Sequence, residues 1–98
     1  MSSVFIFTSK SLGLPSAVFT SYEKATDWIE DNYLSGILTE YPTDQSCYDW
    51  AIENGHFKER SPIDRSPTFM EKFVSVYQHN WHFEHGKNLY SQKVQRSI

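Results

Sequence analysis

The sequence predicts an α+β domain in which an antiparallel sheet carries two helices on one face. The element order is ββαβα, followed by a short helical turn and a long final strand. Three observations carry this expectation. Segments rich in β-branched and aromatic residues stand at residues 4–8, 17–19 and 37–41, at lengths that suit strands. Two segments between and after them have helical spacing, with Tyr22, Ala25, Trp28 and Ile29 on one stripe and Tyr48, Ala51 and Ile52 on another. Turn formers separate the elements, among them Gly13, Pro15, Gly36, Pro42 and Gly55. At 98 residues the chain is long enough for one core and too short for two, so residues 1–98 are expected to form a single domain.

Taken in order, residues 4–8 alternate weakly and make a first strand. The turn at Gly13 to Ser16 is too brief for a crossover, so Ala17, Val18 and Phe19 should pair antiparallel with it. Thr20 and Glu23 have the spacing of a capping box and open the first helix, whose polar side carries Asp27, Glu30 and Asp31. On its apolar stripe Trp28 is expected to lie on the sheet. The stretch 34–57 then holds a strand ended by Pro42 and a helix capped by Asp44, which leaves through Gly55. Residues 58–67, with two prolines and mixed charge, read as a surface loop. Ser66 and Pro67 can cap and begin a helical turn through Phe69, Met70 and Phe73. From Val74 the period changes to two, which predicts a strand through His85 that Gly86 stops. The polar segment 87–98 is expected to fray.

Composition narrows the function classes. One cysteine, Cys47, excludes an internal disulfide and fits a reducing cytoplasm. The opening residues lack a basic leader followed by an apolar run, and no segment is long enough to span a bilayer, so neither export nor membrane insertion is expected. The net charge is −3, but it is unevenly distributed. Between residues 11 and 57 there are eight acids against Lys24 alone, whereas seven bases face four acids afterwards. A concentrated negative surface repels nucleic acid and attracts a basic protein. Glu30, Asp31, Asp44, Asp49 and Glu53 are the expected electrostatic contributors to such a surface. Tyr48 or Trp50 is a candidate apolar anchor, Trp50 because it departs from the apolar stripe of its helix.

Catalytic signals are weak. His79, His82, Glu84 and His85 invite a metal hypothesis, yet on a strand His79 and His85 lie about 20 Å apart at ~3.3 Å per residue. No HExxH spacing or cysteine pair completes a site. Cys47 falls in the first turn of a helix, where the dipole favours a thiolate, but the neighbouring acids oppose it and no base stands beside it in sequence. No GxSxG elbow or phosphate-cradling glycine loop occurs. Tyr77, Trp81 and Phe83 near basic residues would suit single-strand stacking, but the helices need those rings for a core. The residues therefore point to no catalytic residue, no metal and no cofactor.

The runs AVFTSYEKATDWIEDNYLSGILTEYP, YDWAIENGHF and HNWHFEHG are similar to a family of small bacterial domains of uncharacterised function. That family joins a "VF-S-EKA--WI" helix, an "LSG-LT-YP" strand, a "YDWAI--G-F" helix and a final strand rich in histidine and aromatic residues. The likeness extends from about Val4 to Gly86. Small acidic proteins of this sort resemble immunity proteins of toxin systems, including contact-dependent growth inhibition. The resemblance implies a cytoplasmic protein that binds and neutralises a cognate toxin, a nuclease being the class an acidic surface best opposes. The rivals are a histidine- or metal-dependent enzyme built on residues 79–85 and a homo-oligomeric structural protein.

Overall fold

A computed structural model of the chain describes residues 2–74 and 77–89. Five strands form one antiparallel sheet: β1 (Ser3–Ser9), β2 (Pro15–Phe19), β3 (Gly36–Pro42), β4 (Asn80–Glu84) and β5 (Lys87–Asn88), in the order β2-β1-β3-β4-β5. Both β2 and β3 run antiparallel to β1, on either side of it. The segment joining them must therefore cross over β1, and that segment is the helix α1 (Tyr22–Asp31). Its placement follows from this connectivity, since a crossover helix has to bury its apolar stripe on the strand beneath it.

The core lies between α1 and this face. Phe7, Ala25, Ile29, Leu38 and Phe83 are buried, with Phe5, Phe19, Tyr22, Trp28 and Trp81 packed around them. Strand register sets this composition, because Phe7 pairs with Leu38, Leu38 with Trp81 and Gly36 with Phe83, so all of these residues share one face. Trp28 lies on the sheet as its spacing predicts, edge-on to Phe7 at 5.7 Å between ring centroids. At Gly36 there is no room for a side chain between β1 and β3, since a Cβ there would stand 2.2 Å from the Thr8 carbonyl oxygen and 2.6 Å from the Phe7 ring.

Two further helices follow β3, α2 (Cys47–Glu53) and α3 (Pro67–Lys72), with a 3-10 turn at Pro62–Arg65 between them. Here a second aromatic cluster forms apart from the first: Tyr48 contacts Phe57, Phe69 and Phe73, with centroids 5.8, 6.2 and 5.4 Å from its own. The α3 start is as the sequence indicates, with Ser66 accepting from the Phe69 N–H and Pro67 in the first turn.

Three details differ from the sequence reading. The cap of α1 is Ser21, not Thr20; its hydroxyl accepts from the Lys24 N–H at 3.2 Å and donates to Glu23. Ser46, not Asp44, caps α2 by accepting from the Asp49 N–H at 2.9 Å, while Asp44 occupies a left-handed turn position with φ 58°. The last strand is short. Tyr77 and Gln78 belong to a turn rather than a strand, β4 covers only Asn80–Glu84, and residues 75–76 lie outside the described residues. His85 and Gly86 both have positive φ, 51° and 84°, which is the geometry of a two-residue hairpin turn with a twist that matches the strands. Gly86 therefore reverses the chain into β5, so the segment expected to fray from Lys87 begins as a paired strand. Residues 90–98 lie outside the described residues.

Both long helices end in the same way. Past α2, the Gly55 N–H donates to the Ile52 carbonyl and the His56 N–H to the Ala51 carbonyl, with Gly55 at φ 76°. Past α1, the Tyr33 N–H donates to Glu30 and the Leu34 N–H to Ile29, but the left-handed residue, at φ 55°, is tyrosine. A side chain in that conformation costs about 1–2 kcal/mol, and Tyr33 is 75% exposed, so little packing offsets the cost. Tyr33→Gly is expected to stabilise the fold by about 1 kcal/mol. A chemical denaturation midpoint that falls instead would show that the tyrosine ring contributes more than its backbone costs.

Candidate functional site

The α2 end of the molecule brings together most of the residues singled out from the sequence. Strand β3 ends at Pro42, and the chain turns through Thr43, whose N–H donates to the Ser2 carbonyl at 3.2 Å, into Asp44 and the cap Ser46. Asp44, Asp49 and Glu53 are all exposed. Among the described residues none of the three is in a salt bridge; Glu53, the last residue of α2, accepts from the Gln45 side-chain amide at 2.9 Å. Asp49 lies in the first turn of α2, where the helix dipole favours a negative charge.

Trp50 and Tyr48 part company here. Trp50 is half-buried, and its ring stacks on His56 at 5.2 Å with 17° between planes, while His56 stacks in turn on Tyr77 at 5.4 Å and 8°. This places it at the surface as a fixed aromatic wall. Tyr48 is only 1% exposed, so it is a packing residue and not a surface anchor. Its apolar stripe with Ala51 turns it inward, and its hydroxyl serves both Glu59 and the Asp64 carbonyl. With Arg65 donating to Glu59 at 2.6 Å and the Arg60 N–H donating to Asp64 at 2.8 Å, this network ties the 58–66 loop down over α2.

Burial and the Glu59 carboxylate push the Tyr48 phenol up to about 12, because both disfavour a second negative charge. A folded-state value above the unfolded one contributes stability that is complete below pH ~10 and is lost as pH rises through about 12. Tyr48 should therefore ionise late in an ultraviolet titration. Its step should disappear in Tyr48→Phe; a late step that persists in the variant would assign it elsewhere. Burial likewise raises the Cys47 thiol, which opposes a reactive thiolate.

The acids of α1 are not part of this end. Glu30 and Asp31 are exposed at the α1 C-terminus, where Gly86 packs against the Glu30 backbone. Gly36 pairs with Phe83 at that end of the sheet, whereas Trp50 lines a cleft with Ser3 and Pro42 at the other. The length of β3 separates the two groups by about 20 Å at ~3.3 Å per residue. The single acidic surface expected from the sequence is thus divided, and Asp44, Asp49 and Glu53 form the part associated with an aromatic wall.

The histidines do not converge either. His79 is exposed, with Nδ1 3.9 Å from Glu40. His82 lies in β4 opposite Ile37, on the sheet face away from Trp81 and Phe83. Glu84 is bonded to Lys10 at 2.8 Å, and that ammonium holds its carboxyl below the usual range. The His85 N–H donates to the Ser35 hydroxyl from the hairpin turn. Among the described residues, no three His, Cys, Asp or Glu side chains are grouped to hold a metal ion.

Sequence reasoning missed the feature that these elements enclose. A cleft of about 260 Å³ lies between the start of β1, the end of β3 and α2, with Ser3, Glu40, Trp50, Gln78 and His79 on its walls. The Ser3 hydroxyl donates to one oxygen of Glu40 at 2.5 Å and His79 approaches the other. These residues come from four separate segments, so no local motif links them. The only available signal was Glu40 itself, an acid within a strand otherwise apolar or uncharged.

Among the described residues no helix is long and apolar enough to cross a membrane. Neither a curated protein nor a solved structure matches the chain. A family model, that of a domain of unknown function (DUF7710), matches residues 4–89, from the first strand through the hairpin that closes the sheet. The match takes in the α2 end, both acidic groups and the cleft residues from Glu40 to His79, and the chain belongs to that family.

Proposed function

We propose that this protein is a cytoplasmic, cofactor-free immunity protein that binds and neutralises a cognate bacterial toxin, a nuclease by class, by occupying its basic active-site surface. The observation that carries the reading is the α2 end, where Asp44, Asp49 and Glu53 are exposed and, among the described residues, without salt bridges, on the helix that carries Trp50 and the turn before it. Lys10 and Arg65, the lysine and arginine in salt bridges among the described residues, are engaged by Glu84 and Glu59 and not by these three carboxylates. A basic toxin surface, built to hold phosphate, would be attracted by the charge, while a rigid aromatic side chain supplies apolar contact; the first sets the association rate and the second the residence time.

The test is co-expression with the C-terminal domain of the protein encoded immediately upstream, followed by salt-dependent binding kinetics. Protection of the host and association that slows about tenfold or more in D49N/E53Q are expected. E30Q/D31N, altered at the far end, should change it little. Failure to protect, or equal effects of the two pairs, would remove the basis of the proposal. A dimer of this chain buried through the α2 acids would replace it with the structural reading.

A further inference from the structure

We propose that the cleft beside Trp50 is a socket for a guanidinium group, filled by an arginine side chain of the bound protein. The inference rests on the reading of the α2 end as a protein-binding surface and names the chemistry of its central contact. Two acceptors of the cleft residues are incompletely satisfied. Glu40 presents a carboxylate at the rim, one oxygen satisfied by Ser3 and the other only approached by His79 at 3.9 Å, beyond hydrogen-bonding reach. Gln78 is 5% exposed, and its Oε1 finds no hydrogen-bond partner among the described residues.

A buried amide oxygen left without a donor is costly in a folded protein, and because Gln78 borders the cleft, a turn of its side chain would let that oxygen accept from a partner that arrives from outside. Among the described residues no lysine or arginine lines the cleft to fill that role. Trp50 supplies a flat aromatic surface, and its stacking on His56 holds the ring in place before a ligand arrives. An acidic acceptor, an amide acceptor and an indole around a volume of about 260 Å³ match the planar, five-donor guanidinium, which can bond both acceptors in its plane while its face meets a ring. An ammonium, compact and more strongly hydrated, meets these requirements less well.

The experiment uses the full chain without any toxin, so its failure is separable from failure of the immunity reading. N-acetyl-arginine-methylamide is titrated while the Trp50 indole N–H and the Gln78 side-chain amide are followed by NMR. The neutral isostere N-acetyl-citrulline-methylamide serves as control. Saturable shifts at both groups with arginine, at least tenfold weaker with citrulline and at least tenfold weaker in Glu40→Gln, are expected. Trp50→Phe, which keeps a ring, should retain part of the binding. Equal response to arginine and citrulline, or an unchanged response in Glu40→Gln of intact fold, would overturn the socket. Far tighter binding of free L-arginine than of the blocked form would also overturn it, in favour of a small metabolite.

Discussion

Gly36→Ala is expected to destabilise the domain by at least about 3 kcal/mol, at the upper end of what overpacking does in a close-packed interior. The reason is local and steric. The new methyl would stand 2.2 Å from the Thr8 carbonyl oxygen, and backbone in a paired strand cannot retreat as a flexible side chain does. The Phe7 ring, 2.6 Å from the same position, cannot move without disturbing Leu38, its partner across the strands. Both strands lie in the sheet interior, so relief requires breaking the pairing between Ser9 and Gly36. For a domain of this size the melting temperature should fall by roughly 12–24 °C. A loss of less than 1 kcal/mol would mean that β1 and β3 separate easily at that end, and the closeness of the two strands would have no energetic consequence.

Leu38→Ala should cost about 3–5 kcal/mol, since Leu38 is fully buried at the centre of the sheet and its neighbours Phe7, Ile29 and Phe83 belong to different elements that cannot all collapse into the void. The loss should be global, with protection against hydrogen exchange falling across β1, β3 and α1 together. Phe69→Ala provides the contrast. Phe69 contacts Tyr48, Phe57 and Phe73 in the second cluster and, among the described residues, is not one of those packed against the main core. Its removal should release α3 and the 58–66 loop while leaving the sheet amides protected. Uniform loss of protection in both variants would show that the two clusters unfold as one unit.

The separation of these clusters bears on the proposed function. The α2 end rests on β3 at one side and on the Tyr48 cluster at the other, so Asp49, Glu53 and Trp50 are positioned by a part of the fold that can loosen without unfolding the sheet. Substitutions at Phe69 or Phe73 are therefore expected to affect partner binding through the placement of α2, although neither residue is in the acidic group.

Fold class, strand alternation and the apolar stripes of α1 and α2 were legible in the sequence because each depends on spacing within about ten residues. Trp28 on its stripe, Gly55 past its helix and Ser66 before Pro67 behave as their local chemistry dictates. Residues 77–79 misled because alternation of aromatic and polar residues has the same appearance in a strand as in a turn that places Gln78 inside and His79 outside. Tyr33 gave no signal at all, since nothing in a tyrosine announces a left-handed backbone; the hydrogen bonds that close the helix above it impose that conformation.

The order of residues by itself determined an α+β architecture, the pairing of the first two strands, the apolar stripes of two helices and a surplus of carboxylates before residue 57, because local propensity and charge are properties of short stretches. Only the tertiary structure decided where those carboxylates lie. The crossover of α1 over β1 sends Glu30 and Asp31 to one end of the sheet, and the turn after Pro42 sends Asp44, Asp49 and Glu53 to the other. It also decided that Tyr48 faces inward, and that Ser3, Glu40, Trp50 and Gln78, far apart along the chain, share one cleft. Chain reversals and strand register set these distances, and neither is written in the neighbourhood of any one residue.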